Sequence, residues 1–561
     1  MARTVGIGIQ EFGKIIENHY FYVDKTAFIK EWWENGDEVT LITRPRRFGK
    51  TLTMSMTEQF FSVKYAGRGD LFEGLSIWQE EKYRALQGTY SVISLSFANI
   101  KETNYKDTRD KIGQILAGEY ARCAFLLEGD CLNEQEKDIF RRKTVDMGDV
   151  DATLALNQLS EYLCRYYGKK VIILLDEYDT PMQEAYVHGY WEELAAFTRS
   201  MFNSSFKTNP WLERAIMTGI TRVSKESIFS DLNNLKVVTT TSDEYGTAFG
   251  FTEEEVFAAL DEFGMSDRKQ DVKRWYDGFI FGMYKDIYNP WSILNFLDTG
   301  KFTTYWANTS ANSLVGKLIR EGSPDVKMNM EDLLHDRIFH TVIDEQIVFS
   351  QLDRKTSAVW SLLLASGYLR VEHFAVDIKS GRAEYGLKLT NGEVRLMFGQ
   401  MIEDWFSEYT SDYNVFIKAL LEDDLEAMNE YMNRVVSATF SYFDTGRRES
   451  GKAEPERFYH GFVLGLMVDM GDRYEITSNR ESGFGRYDIM LEPKRDGLNA
   501  IIIEFKVFNP RRDSTLADTV QAALLQIEEK KYAQALVAKG IPEERIRKYG
   551  FAFEGKEVLI G

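Results

Sequence analysis

Between residues 39 and 61 the chain reads as a strand, a loop and a helix in immediate succession, an order that commits this part of the molecule to a layered α/β fold. Val39-Thr40-Leu41-Ile42 is a largely apolar run, and Arg44-Pro45-Arg46-Arg47-Phe48-Gly49-Lys50-Thr51 follows it. Leu52 to Phe61 is rich in Met, Leu and Phe and free of Gly and Pro, which predicts a helix with its N-terminus against the loop. The loop keeps the phosphate-cradling spacing G-x-x-x-x-G-K-[ST] except at its first glycine, where Arg44 stands. Such a site needs backbone N–H groups aimed at phosphate, a lysine for the outer phosphates and a hydroxyl for Mg²⁺. Gly49, Lys50 and Thr51 supply the last of these, with Arg46, Arg47 and Phe48 completing the candidate cradle. A basic surface loop is the competing reading.

Two further runs weigh against that competitor. Val171-Ile172-Ile173-Leu174-Leu175 has the unbroken apolarity of a strand buried on both faces of a parallel sheet, and it ends in Asp176-Glu177. At the end of such a strand the first acid suits the Mg²⁺ shell and the second suits polarising the attacking water. Arg214 to Arg222 predicts another strand with a polar end, where ligands of open α/β sheets bind. Thr218 or Thr221 is placed to sense a terminal phosphate, and Arg222 either stabilises charge on it or makes a surface ion pair.

Taken together, Asp24-Lys25-Thr26, the Leu41 to Thr51 segment, Asp176-Glu177-Tyr178-Asp179-Thr180-Pro181 and Phe229-Ser230-Asp231-Leu232-Asn233-Asn234 resemble the bacterial AAA-ATPase-like family over about the first half of the chain. In that family arginine in place of the first glycine is part of the pattern. The resemblance implies an ATP-binding core followed by a helical lid, and Trp275-Tyr276-Asp277-Gly278 and Tyr288-Asn289-Pro290-Trp291-Ser292 are similar to landmarks near that lid. It also leaves a homo-oligomer open, with Arg222 acting in cis or in trans.

A separate constellation lies at the other end. Arg486 to Leu491 and Ala500 to Lys506 read as a strand pair joined by a turn rich in Pro, Lys, Arg, Asp and Gly. Asp488 is expected on the first strand, and Glu504 and Lys506, two apart, share one face of the second. Two carboxylates can bind a hard divalent cation, and a nearby lysine can orient water or offset transition-state charge, which together describe metal-dependent phosphodiester hydrolysis. The trio resembles the PD-(D/E)xK nuclease superfamily, with Tyr487 in the place of a non-ligating proline. By the same resemblance Glu456 is an outer acid of the site and Gln526 a helix residue facing it, on predicted flanking helices opening at Glu456 and spanning Gln521 to Tyr532.

The expected architecture is therefore α/β: a P-loop AAA-type core (1–240), a helical lid (241–310), a mostly helical middle region (311–445) and a restriction-endonuclease-like domain (446–561), with Thr445 to Gly451 as the linker. Within the middle region, Met397 to Tyr409 and Asn414 to Val435 show helical spacing. No membrane span or secretion signal is evident, so a cytoplasmic protein is expected. The three cysteines, Cys123, Cys131 and Cys164, lack metal-binding spacing and are expected as buried thiols.

The net charge of −19 opposes constitutive tight binding to a polyanion. From Gly451 onward charge is nearly balanced, and Lys494, Arg495, Arg511 and Arg512 are candidates to line a groove near the metal or a solvated face. The leading expectation is an ATP- and Mg²⁺-dependent enzyme whose N-terminal domain controls a nuclease acting on nucleic acid, DNA above all. The alternative is a nucleotide-dependent switch or scaffold whose nuclease-like domain binds nucleic acid or protein without cleaving.

Overall fold

The computed structural model describes residues 2–221, 228–229, 232–307, 313–320, 324–334, 336–344, 356–377, 382–407, 410–439, 463, 470, 473–478, 481–482, 485–486, 488–495, 497–554 and 557–561. They fall into two compact units, the first made of 1–318 with 336–395 and the second of 319–335 with 396–561.

The first unit is built on five parallel strands: β1 (Val39–Thr43), β2 (Ser91–Ser96), β3 (Val171–Asp176), β4 (Leu212–Gly219) and β5 (Leu235–Val238), in the order β2-β3-β4-β1-β5. Every residue of β1 and β3 is buried, as suits the largely apolar β1 and the unbroken apolar run of β3 up to Asp176. Register aligns the strand ends: Ile42 lies beside Thr218, Thr43 beside Gly219, and Ser96 beside Asp176. The polar termini of β3 and β4 therefore open next to the loop that leaves β1, which runs straight into the helix Lys50–Phe61.

Beyond this sheet, β6 (Phe251–Thr252), β7 (Asp277–Phe281) and β8 (Tyr284–Tyr288) form a small antiparallel sheet ordered β6-β8-β7. Helices Glu253–Glu262 and Pro290–Thr299 share its core through Val256, Leu260, Tyr276, Tyr288, Ile293 and Phe296. Strands β9 (Phe339–Thr341), β10 (Leu369–Asp377) and β11 (Arg382–Leu389) make another antiparallel sheet. The middle region expected to be mostly helical (311–445) thus carries three strands. A bulge between Val371 and His373 breaks the two-residue alternation by which β10 would be read.

In the second unit, β12 (Tyr474–Ser478), β15 (Ile489–Pro493), β16 (Ala500–Val507), β17 (Ile546–Glu554) and β18 (Glu557–Ile560) are ordered β12-β15-β16-β17-β18, parallel only between β16 and β17. Strands β13 (Glu481–Ser482) and β14 (Gly485–Arg486) pair separately. One face of the large sheet, with Ile501, Ile503 and Phe505, packs on Phe416, Leu420, Met428, Tyr431 and Met432. The other, with Ala500 and Ile502, packs on Ile527, Tyr532 and Leu536. The helical span expected at Asn414 to Val435 is two helices, Thr410–Glu422 and Leu425–Thr439. Asp423 at φ 66 turns the chain, and Asp424 accepts from Ala427 N to start the next helix. The second of these helices seals the edge strand β18: Asn429 exchanges hydrogen bonds with Ile560 N and O, and Asn433 with Val558 N and O.

Candidate nucleotide and metal sites

The loop after β1 is held from several sides. Arg44 is fully buried, and its guanidinium donates to the carbonyls of Thr43, Thr239 and Glu244, with Cζ 4.6 Å from the Phe281 ring centre. Burial pushes this guanidinium down, to about 9. Its side chain is a pin into the core, and the conformation of the loop comes instead from positive φ at Arg47 (65°) and Gly49 (82°). Phe48 is buried with its ring 4.7 Å from that of Phe279, so what it can offer a phosphate is its backbone. Arg46 is half-buried and Arg47 exposed.

Lys50 is buried and donates to the carbonyls of Arg44 (2.9 Å) and Pro45 (2.8 Å), and burial lowers its pKa against the pull of Glu177, Asp176 and Asp179. Thr51 Oγ1 donates to Asp176 Oδ2 at 2.7 Å, and Thr218 Oγ1 donates to Asp176 Oδ1. Burial raises the Asp176 pKa while these two hydroxyls oppose the rise. Thr218 Oγ1 also accepts from Glu177 N (3.2 Å), so one hydroxyl positions both acids. Glu177 itself sits at φ 51, a costly conformation for a residue with a side chain, and accepts from Thr180 Oγ1.

Of the two threonines left open by the sequence, Thr218 joins Asp176 and Thr221 joins Asp179. Asp179 is the member that sequence reasoning left without a role. Fully enclosed, its Oδ2 accepts from Ile220 N (3.0 Å), Thr221 N (2.8 Å) and Thr221 Oγ1 (2.8 Å), while burial raises its pKa. A Cβ on Gly219 would come within 2.7 Å of Asp179 Oδ1, which accounts for glycine there. The available signal was Asp179 three residues after Asp176, on the turn that leaves β3. Arg222 lies outside the described residues.

In the second unit Glu504 and Lys506 project from β16 toward the helix Leu516–Glu529, and Gln526 of that helix joins them. Lys506 Nζ donates to Gln526 Oε1 (2.6 Å), and Gln526 Nε2 donates to Glu504 Oε1. Asp488 immediately precedes β15 rather than lying on it, and its Oδ2 accepts from Phe505 N at 2.8 Å, the residue between Glu504 and Lys506. The buried Tyr532 feels the charges of both Glu504 and Asp488 and is raised mainly by burial. Lys494 and Arg495 belong to the β15–β16 turn, at the far end of β16 from Glu504 and Lys506. They do not line this site; only Arg511 and Arg512 follow β16 at its near end. Tyr487, Glu456 and its predicted helix, and the Thr445 to Gly451 linker lie outside the described residues.

A hydroxyl beside a buried carboxylate at a helix start fits a hydrated Mg²⁺, and two carboxylates around one strand fit a divalent ion that keeps waters. Among the described residues no group of three or more His, Cys, Asp and Glu side chains gathers as a metal cluster. Cys123, Cys131 and Cys164 are free and half-buried, more exposed than expected, and burial pushes the Cys123 thiol up to about 12.

These features define a P-loop α/β core in the first unit and a restriction-endonuclease-like sheet in the second. Residues 6–229 match the family described as predicted AAA-ATPase, and residues 454–561 match the PD-(D/E)XK nuclease superfamily. The chain joins these two domains in that order. It is 26% identical over 408 residues to a protein of Azotobacter chroococcum mcd 1 described as an uncharacterized protein in the vnfD 5′ region, covering 71% of this chain and 70% of that one. It is also similar to a Signal Transduction ATPase with Numerous Domains (STAND) protein with a tetratricopeptide repeat sensor from Pyrococcus horikoshii. That solved structure matches at 12% identity and a TM-score of 0.24, over 80% of this chain and 54% of that chain's length. Among the described residues no helix is long and apolar enough to cross a membrane.

Proposed function

We propose that this chain is a nucleotide-controlled, metal-dependent nuclease: ATP binding and hydrolysis in the first unit regulate phosphodiester cleavage of nucleic acid, DNA above all, by the second. The observation that carries the reading is that each unit brings its own acid, lysine and positioning partner together, Asp176 with Lys50 and Thr218, and Glu504 with Lys506 and Gln526. Thr51 and Asp176 would hold Mg²⁺ at the nucleotide, and Asp488 and Glu504 a second ion at the scissile phosphate. When bound, these ions supply Lewis-acid polarisation of phosphate oxygens.

Lys50 exchanges its two loop carbonyls for phosphate, which moves its ammonium from neutral to charged acceptors. Glu177, held through its N–H and its carboxylate, orients the attacking water. Arg222 follows directly on Thr221, whose N–H and hydroxyl are fixed by Asp179, and offsets charge on the terminal phosphate. In the second unit Lys506, kept beside Glu504 by Gln526, orients water and offsets charge on the attacked phosphate.

The test is incubation of the full chain with plasmid, linear and single-stranded DNA, with and without ATP and Mg²⁺. Cleavage that needs Mg²⁺, changes with ATP and disappears in Asp488→Ala supports the reading. A chain that binds nucleic acid or protein in a nucleotide-dependent way, with no cleavage under any of these conditions, supports the scaffold alternative.

A further inference from the structure

The phosphate loop lacks the glycine that ordinarily lets such a loop turn, yet it turns. Within it Arg47 adopts φ 65, a region that glycine enters freely and residues with side chains rarely do. Something outside the loop must hold it there, and the neighbouring contacts show what does. The Arg47 guanidinium lies over the Trp291 ring, Cζ 4.3 Å from its centre. Asn289 Nδ2 donates to the carbonyl of Arg46 (3.3 Å), at the peptide that leads into Arg47. The same Asn289 side chain accepts from Trp291 N (2.9 Å) and Ser292 N (3.3 Å), so one amide starts the helix Pro290–Thr299 and grips the loop.

The grip is itself anchored. Ser292 Oγ donates to Glu393 Oε2 (2.8 Å), and the buried Glu393 accepts from Trp306 N and Ala307 N through Oε1. Asn289, Trp291 and Ser292 therefore belong to a rigid turn, well suited to holding a strained neighbour.

We propose that Asn289 and Trp291 are positioning residues for nucleotide binding, holding Arg47 from outside the loop in a backbone conformation that a glycine would adopt unaided. This rests on the reading of the loop as a nucleotide site. Arg47 acts through its backbone, and its guanidinium is the handle by which Trp291 holds it. Neither Asn289 nor Trp291 needs to touch the nucleotide.

Binding of a ribose-labelled fluorescent ATP analogue to the full chain, together with steady-state ATP turnover, tests this in a double-mutant cycle. Trp291→Ala and Asn289→Ala should each raise Kd and KM by about tenfold and leave kcat within about twofold, because loop order is lost before binding and restored in the bound state. Trp291→Phe keeps an aromatic face and should stay within about threefold of wild type. In the Arg47→Gly background, where positive φ needs no support, Trp291→Ala should change Kd by less than about twofold.

Additive effects of Arg47→Gly and Trp291→Ala would overturn the proposal, as would unchanged Kd in Trp291→Ala. Complete loss of binding in Arg47→Gly would also overturn it, since the guanidinium would then be a direct ligand. If the wild-type chain binds no analogue, or if Lys50→Ala binds it as well as wild type does, the nucleotide reading itself fails.

Discussion

The two candidate sites hold their lysines in opposite ways. Lys50 is buried and spends both observed hydrogen bonds on carbonyls of its own loop, whereas Lys506 is half-buried and donates to Gln526, whose other end grips Glu504. The first lysine is turned back on its own loop; the second already stands beside its acid. That contrast teaches that, on the proposed function, the N-terminal lysine has to exchange partners when phosphate arrives, while the C-terminal lysine does not.

The comparison can be broken most directly at the lysine and the acid that each site cannot replace. Lys50→Ala should lower ATP turnover by about a hundredfold or more, read by phosphate release, with DNA cleavage in the absence of nucleotide unaffected. Asp488→Ala should lower cleavage by a similar factor, about a hundredfold, and leave ATP turnover within about twofold. A variant that damages both activities would mean that the sites are not separable.

Support residues sharpen the contrast with smaller effects. Asp179→Ala leaves Ile220 N, Thr221 N and the Thr221 hydroxyl without their shared acceptor, and should cost about 3 kcal/mol of stability in urea unfolding followed by circular dichroism. Gln526→Ala releases both Lys506 and Glu504 and should slow cleavage by about tenfold, with ATP turnover unchanged.

A further effect concerns pH. Asp277, facing Asp286, Lys273 and Tyr288, is raised to about 7, first by burial and then by sharing a hydrogen bond with Asp286. The folded state therefore keeps a proton that the unfolded chain releases near pH 4, so stability falls as pH rises between about 4 and about 7. Asp277→Asn cannot ionise and should show a smaller drop in Tm between pH 5 and pH 8 than wild type, by differential scanning calorimetry.

Much of the first site was legible because its strands are buried on both faces, which writes them as apolar runs with functional residues at their ends. Val171 to Asp176 is the plainest case, and β1 with its loop and helix is nearly as plain. The role of Arg44 was not legible, because its carbonyl partners Thr239 and Glu244 lie about two hundred residues away and carry no signature in their side chains. Asn289 and Trp291 stood out as landmarks, but their purpose depends on a φ value that no pattern of residue types records.

In the second unit the two-residue spacing of Glu504 and Lys506 was enough to place them on one face, and the face proved to be that of Gln526. The basic residues were harder. Lys494 and Arg495 are near Asp488 in sequence, yet the antiparallel register of β15 on β16 carries the turn to the opposite end of the strand. Likewise, nothing local says that the helices Thr410–Glu422 and Leu425–Thr439 cover one face of the C-terminal sheet, since that contact joins segments far apart in sequence.

On the proposed function, the nucleotide state of the first unit sets the cleavage rate of the second. The most direct test is the initial rate of DNA cleavage by the full chain in Mg²⁺ with ATP, with ADP and without nucleotide, beside Lys50→Ala under the same three conditions. Rates should differ between nucleotide states by about tenfold or more in the wild type and become equal in Lys50→Ala. Equal rates in all three conditions for a wild-type chain that demonstrably binds ATP would contradict it.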